Sequence, residues 1–558
     1  MVKRSFLRRS CFSLLVLAGL PIFFLPAWAQ APGSPPTRAA VDDPLLTRAE
    51  RTGFRETSRY AEVVHFMAEV VNGRPDMHLT TMGYTFEGRP IPMVVMGRVS
   101  DASPEAVRAS GKTRVYLQGG IHAGEVAGKE ALLILLRELS RGRHSHWADS
   151  LVLLVAPLYN ADGNERVSVL NRPRQHGPVG GMGQRANAQD LDLNRDHLKL
   201  DAPESRAMAK MFVDYDPHVA VDLHTTNGTR HGYHLTYAPP LHPSTPAAMD
   251  RLLRDRLLPA ITRAVKEKHG WDMYHYGNVR PARDGVEGGW FTFDHRGRFS
   301  NNYAGLRNRF GILGEAFAYA TFEERTKVSL WFVEEILHFG YAHATELARM
   351  AGDADRLPLV GESLALRAEF RPSAEPVTIL MGEVEEELNP YSGRMMFRYT
   401  GVQVPQEMEE FVSFRATETE RVPPAYFLPP DLADLRIRLE AHGVEIFVLE
   451  EARTVEVEEF GVDSVATATR EYQGRFEQTV LGSYRSSTAT LGPGTVVVPM
   501  DQPLARVIFT LLEPRSDDGF VAWGFLTRSL RVGEPYPILR GSQGASSRLL
   551  LPDLLSGP

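Results

Sequence analysis

Cysteine is nearly missing from this chain: its 558 residues hold one, Cys11. That residue falls inside a leader expected to be removed. The mature chain is therefore expected to have no disulfide, no thiolate metal ligand and no cysteine nucleophile, and any metal must be held by histidine and carboxylate. Positive charge is also in deficit, with 62 Lys and Arg against 69 Asp and Glu and a net charge of −7. No basic stretch dominates, which argues against nucleic acid as a partner. The one long apolar run, from about Phe12 to Leu25, is interrupted by Pro21 and is short for a membrane span. No internal repeat is visible.

What is present begins with a targeting segment. Lys3, Arg4, Arg8 and Arg9 precede the apolar run, and Ala27-Trp28-Ala29 supplies an A-x-A cleavage pattern. Residues 1–29 are predicted to be a signal peptide, with Arg8-Arg9 a weak twin-arginine feature. Export to the periplasm or the medium follows, with no stable membrane anchor after cleavage. Losing four basic residues takes the net charge from −7 to −11. Residues 30–47, opening Gln-Ala-Pro-Gly-Ser-Pro-Pro, read as a flexible leader.

The length implies two or three domains. Residues 48–350 alternate strand-like and helix-like patterns. Thr113–Gln118, Leu151–Pro157, Val219–Leu223 and Phe310–Leu313 read as strands. The Leu151 run is apolar throughout, as in a strand buried on both faces. Lys129–Leu139, Pro203–Phe212, Arg251–Lys268 and Glu323–His338 read as helices. This pattern predicts an α/β domain with helices on both faces of a parallel or mixed sheet. Residues 355–550 change character to alternating strand patterns with one helical stretch, Leu432–His442. They are expected to form a C-terminal β-rich α/β domain.

Reactive side chains gather at the predicted strand ends, where open α/β sheets bind ligands. In Tyr116-Leu-Gln-Gly-Gly-Ile-His122-Ala-Gly-Glu125 a histidine and a glutamate follow a strand three residues apart, a spacing that can deliver both to one metal ion. His224 follows Val219-Ala-Val-Asp-Leu, and Glu315 follows Phe310-Gly-Ile-Leu-Gly. Catalytic zinc usually takes three such ligands and keeps a fourth position open. One His-x-x-Glu is common by chance; the coincidence of four groups at strand ends is the stronger signal. Between them, Arg185-Ala-Asn-Ala-Gln-Asp-Leu-Asp192-Leu-Asn194-Arg195 is compact and polar. Arginine with asparagine suits a carboxylate, which guanidinium grips through two parallel hydrogen bonds.

These pieces resemble the zinc carboxypeptidases of the carboxypeptidase A type, in an exported bacterial form. The matching motifs are His122-Ala-Gly-Glu125, Asn160-Ala-Asp-Gly163, Arg185-x-Asn187, Asp192-Leu-Asn194-Arg195, Asp222-Leu-His224 and Glu315, in the family's order. Gly83-Tyr-Thr-Phe-Glu87-Gly-Arg-Pro-Ile also resembles the family's early strand and turn. The resemblance spans roughly residues 50–345 and implies a mixed, eight-stranded sheet. It implies that His122, Glu125 and His224 hold one Zn2+ per chain and that Asp192 orients His122. By the same resemblance, Arg185 faces the scissile carbonyl, Asn194 and Arg195 grip the terminal carboxylate, and Glu315 is the general base. The substrate would be a peptide with a free C-terminal carboxylate.

Some features depart from the family. Its mobile tyrosine has one nearby candidate, Tyr303, only 12 residues before Glu315, and Gly314 stands where a hydroxyl residue is common. The stretch Val286-Glu-Gly-Gly-Trp290-Phe-Thr-Phe is a candidate specificity wall. His144, His146, His231, His234 and His242 lack a partnered strand-end position and are not expected to bind metal, whereas His197 is placed near the ligands. Two other functions share the motifs: a zinc amidase or deacylase acting on acyl-amino acids or cell-wall peptides, and an inactive peptide- or glycan-binding scaffold. Oligomeric state is not legible.

Overall fold

Apolar runs become the middle strands of one sheet. The structure is a computed structural model describing residues 43–283 and 288–542. The expected signal peptide with Cys11, most of the leader, and the Val286-Glu287 end of the proposed wall lie outside the described residues. All the elements below belong to one compact unit that begins at Leu45.

The strands are β1 (Met77–Tyr84), β2 (Pro90–Met96), β3 (Thr113–Gly119), β4 (Leu151–Ala156), β5 (Val219–Thr225), β6 (Leu235–Ala238), β7 (Met273–His275), β8 (Asn278–Arg280), β9 (Gly289–Phe291) and β10 (Phe310–Ala316). Eight of them form a mixed sheet in the order β1-β2-β4-β3-β5-β10-β6-β7. The central four, β4, β3, β5 and β10, are mutually parallel. β3 and β4 are buried along their whole length, as expected for parallel strands covered on both faces. The expected fold class is the one observed.

Helices α1 (Tyr60–Val71), α2 (Val126–Ser140), α3 (Pro203–Tyr215), α4 (Leu258–His269), α5 (Ser300–Leu306) and α6 (Phe322–Ala342) cover the sheet. The period of two along each strand sorts its side chains between two cores. Val115, Leu117, Val219 and Val221 pack with residues of α1, α2, α4 and α6. Tyr116, Val152 and Leu154 join the other core, which includes Met208 and Phe212 of α3 and Leu306 of α5. Helix α2 lies very close to the sheet at Gly128, where a Cβ would stand 2.5 Å from Leu223 Cβ. Only glycine permits that approach, and it sets the start of α2 beside the end of β5.

After helix α7 (Ala344–Asp355) the chain is dominated by strands. These are β11 (Ser363–Arg371), β12 (Val377–Leu388), β13 (Met395–Met408), β14 (Glu410–Phe411), β15 (Ser413–Arg421), β16 (Ala425–Leu428), β17 (Phe447–Val448), β18 (Arg453–Thr467), β19 (Gln478–Leu491), β20 (Val496–Pro499) and β21 (Leu539–Gly541). Six of them form a sheet ordered β17-β20-β16-β21-β18-β19, with helices α8 (Ala433–His442) and α9 (Ala505–Leu512) beside it in sequence. The β-rich character is as expected, but the region is joined closely to what precedes it. β14 pairs in parallel with β9, and Leu439 of α8 and Phe509 of α9 share the core of Leu306 and Phe212.

Candidate metal centre

One local turn and one strand bring the metal-capable side chains together. Past β3, the Glu125 N–H donates to the His122 carbonyl at 2.8 Å. This tight turn puts His122 Nδ1 3.0 Å from Glu125 Oε1. β5 delivers His224, whose Nδ1 lies 2.9 Å from Glu125 Oε2 and 3.2 Å from His122 Nδ1. Potential ligand atoms of the three residues all lie within 4.8 Å of one another, the one such group found among the described residues. All three side chains are buried. His224 and Glu315 lie inside β5 and β10 rather than just beyond them, because the strands run two to three residues further than their apolar runs.

Each imidazole is fixed from behind by an acid. His122 Nε2 is 3.0 Å from Asp192 Oδ1, and His224 Nε2 is 2.8 Å from Asp222 Oδ2. Asp222 also accepts from Ser300 Oγ at 2.6 Å and from Gln118 Nε2 at 3.0 Å. Such partners fix the ring orientation and raise the basicity of the ligating nitrogen. Burial opposes a charged His224, yet Asp222 and Glu125 push it well above the ordinary imidazole value. Burial alone would raise the Glu125 carboxyl; the Arg172 guanidinium and the His122 ring hold it well below the usual carboxylate range. Two imidazole nitrogens and a carboxylate, converging without a third histidine or a thiolate, are a donor set that zinc accepts while keeping a position open. The residues present therefore fit the metal.

Arg185 donates from Nε and Nη2 to Asp192 Oδ2 at 3.0 and 2.7 Å, and its Nη1 lies 3.3 Å from His122 Nδ1. Asn194 Oδ1 accepts from the Ser300 N–H at 2.8 Å. The Arg195 guanidinium stacks over the Phe299 ring at 4.0 Å. These side chains share a cavity of about 100 Å3 with the three metal-capable residues, Glu315, Tyr276, Phe293 and Leu313.

Glu315 stands in register with His224 across β5 and β10. Its Oε2 is buried and has no hydrogen-bond partner among the described residues. Burial pushes its carboxyl up to about 8; His224 opposes that rise and Glu125 adds to it.

Tyr303 is a correction. It is fully buried in the core of α5, bonded to His442 Nδ1 at 2.8 Å and accepting from Arg307 at 3.0 Å. It does not line the cavity, because α5 turns its ring toward α3 and α8. Among the other histidines, His197 lines a small cavity with Gln118 and Asp222, while His231 and His242 are buried and His234 is half-buried, none of them in the ligand group. A side chain at Gly314 would meet Phe332 at 2.6 Å, so no hydroxyl residue fits there. Of the proposed wall, Phe293 reaches the cavity, whereas Trp290 is buried beside Tyr233 and His275.

Sequence reasoning overlooked three members. Arg172 contacts Glu125 through Nη2. It lies in an irregular segment with a positive φ of 52°, where no pattern marks it. Tyr276 lies against the cavity, its hydroxyl pKa raised by burial and by Glu315. Asp222 was visible only as part of a motif. Its signal is an acid two residues before a histidine in an otherwise apolar strand, which puts both on one face.

A mixed sheet that carries a buried His-Glu-His group at the ends of its parallel strands, opposite an unpartnered glutamate, defines a metal-dependent hydrolase. Residues 63–228 match the family model described as zinc carboxypeptidase. "Carboxypeptidase 2" of Trichophyton rubrum is 25% identical over 521 residues, covering 89% of this chain and 88% of the relative. The Trichophyton tonsurans protein of the same name is 27% identical over 472 residues, covering 81% of each. Carboxypeptidase A from Helicoverpa armigera, a solved structure, is 17% identical with a TM-score of 0.39, over 52% of this chain and 75% of that one. The match to the zinc carboxypeptidase family thus lies over residues 63–228, and the chain is a zinc metallopeptidase.

Proposed function

We propose that the enzyme removes C-terminal residues from peptides with Glu315 as general base, His122, Glu125 and His224 holding one zinc ion per chain. The observation that carries this reading is the unpartnered, buried Glu315 carboxylate facing the three metal-capable groups. Bound zinc polarises a carbonyl oxygen and lowers the pKa of water toward about 7. Glu315 takes the proton from the attacking water and returns it to the leaving amine nitrogen, help typically worth roughly 10²–10⁴ in rate. Arg185 donates to the carbonyl oxygen as negative charge grows there, and losing one such donor typically costs about 10²–10³. Asp192 and Asp222 keep the two imidazoles aimed. Asn194 and Arg195 bind the substrate's terminal carboxylate.

Tyr276, Phe293, Phe299 and Leu313 give the cavity an apolar wall, and among the described residues the acids that line it are Glu125 and Glu315. A C-terminal Lys or Arg would be buried there without a dedicated partner, so apolar and aromatic terminal residues are favoured. The leader sequence supports export with cleavage after Ala29, to the periplasm or the medium. We assign the catalytic role to the 48–350 stretch and treat 355–550 as a C-terminal domain without a second catalytic group. Among the described residues, no helix is long and apolar enough to cross a membrane.

The test is a panel of free-acid peptides varying the last residue, each with a C-terminal amide counterpart, with and without a chelator. Phenylalanine and leucine acids should be cleaved fastest and chelation should stop turnover. Equal rates on acid and amide would rule out a carboxypeptidase.

A further inference from the structure

A hairpin of the C-terminal region reaches the polar segment beside the site. β18 and β19 pair antiparallel from Arg453↔Leu491 to Thr467↔Gln478. Beyond the strands, the loop closes at Tyr472 and Arg475, whose main chains exchange hydrogen bonds at 2.7 and 3.1 Å. The two residues between them, Gln473 and Gly474, have φ of 51° and 78°, the pattern of a two-residue type I′ turn. Glycine adopts this conformation readily. Glutamine does so at a cost, and persists where surrounding contacts hold it.

Two of those contacts run to the polar segment beside the metal centre. Tyr472 Oη accepts from Arg195 Nε at 3.1 Å. Gln473 Oε1 accepts from the Asp192 N–H at 2.6 Å. Arg475 grips Asp201 with Nε and Nη2, both at 2.7 Å. The Tyr472 ring itself stacks over Trp523, with centroids 6.1 Å apart.

The consequence for Arg195 is geometric. Its Nη1 donates to the Asn194 carbonyl at 2.7 Å, its face rests on Phe299, and its Nε is taken by Tyr472. Among the described residues, Nη2 donates no hydrogen bond, and the guanidinium lines the cavity. Without the tyrosine hydroxyl, the side chain regains rotamers that point away from the substrate. Gln473 acts on the main chain of Asp192, whose carboxylate reaches both His122 and Arg185.

We propose that this hairpin tip is a positioning element for the substrate's carboxylate, with Tyr472 holding Arg195 and Gln473 holding Asp192. The inference rests on Arg195 being the carboxylate-binding residue.

Steady-state kinetics of the full-length, zinc-loaded enzyme on a free-acid peptide test it, using Tyr472→Phe, Arg195→Ala and the double variant. Tyr472→Phe should raise KM about 3- to 10-fold, the worth of one hydrogen bond, with kcat within about twofold and an unchanged melting temperature. It should add nothing in the Arg195→Ala background. Gln473→Gly, which suits the turn and deletes only the amide, should also weaken turnover without loss of stability. The proposal is overturned if Tyr472→Phe leaves KM unmoved while Arg195→Ala raises it. It is equally overturned if the two effects multiply, since Tyr472 would then touch substrate on its own. A fall in kcat and melting temperature together would mark a merely structural role. If Arg195→Ala itself leaves KM unmoved, the carboxylate reading fails and takes the inference with it.

Discussion

Glu315 and His224 face each other in register on adjacent parallel strands, so the proposed base and one proposed zinc ligand share one face of the sheet. Neighbouring parallel strands hold opposed residues at nearly fixed separation. The separation of these two side chains is therefore built into the sheet rather than left to a loop.

Glu315→Gln should keep the zinc and lose turnover, with kcat down by roughly 10²–10⁴, as expected for removal of a general base. Metal content by elemental analysis and kcat on a free-acid peptide check it; a fully active variant would remove Glu315 from the reaction. The metal-free protein offers a second readout. The folded carboxyl sits at about 8, above its unfolded value near 4.3. As pH rises between these values the unfolded state releases its proton first, so this group's contribution to stability falls. In chelator, Glu315→Gln should gain urea resistance relative to wild type at pH 8 and show little gain at pH 4.

Asp222 should matter to metal binding as much as Asp192. Its carboxylate is buried, takes hydrogen bonds from Gln118 and Ser300, and meets His224 Nε2 at 2.8 Å. Asp222→Asn should weaken zinc affinity about 10- to 100-fold. Competition against a chromogenic chelator measures this, and wild-type affinity in the variant would show that the ring needs no such partner.

The legible parts of the sequence were those set by local chemistry. Thr113–Gly119 is built on Val115-Tyr116-Leu117 and ends in glycine, so both the strand and the His122-Ala-Gly-Glu125 turn could be read from neighbours alone. Asp192, Asn194 and Arg195 were legible as a compact polar run, and they do gather beside His122. Arg172 was not, because nothing local distinguishes an arginine in an irregular loop until tertiary folding sets it on Glu125. Tyr303 misled for the opposite reason. It was the nearest tyrosine ahead of Glu315, though at a short spacing, and the seven-residue helix α5 turns its ring into the core with His442, 139 residues away. Tyr472, farther still in sequence from Arg195, had no local mark at all.

Gly128→Ala should damage stability and the metal centre together. The added Cβ would stand 2.5 Å from Leu223 Cβ and 3.3 Å from the Leu223 carbonyl oxygen. Leu223 precedes His224, and α2 begins just after Glu125, so pushing α2 off β5 separates two ligands. The expected loss is about 1–3 kcal/mol, typical of overpacking, with weaker zinc binding. Urea unfolding of the chelated protein isolates the packing cost; an unchanged midpoint would show that the helix can move freely.

Buried histidine should make the protein acid-sensitive. His231 is fully enclosed among Phe317, Tyr233 and Trp290, and neither ring nitrogen has a hydrogen-bond partner among the described residues. Burial depresses its pKa to about 3, far below the unfolded value near 6.5. Between these values the unfolded state binds a proton that the folded state refuses, so stability rises with pH across that window. The contribution is fully present above about pH 6.5 and is lost progressively as pH falls toward 3. Replacing the ring by an apolar side chain removes the titration and keeps the site dry. His231→Leu should therefore lose less stability than wild type between pH 7.5 and pH 5, even if it starts lower from imperfect packing. Urea midpoints of both proteins at the two pH values decide it: parallel losses would mean that His231 is protonated, or solvated, in the folded protein.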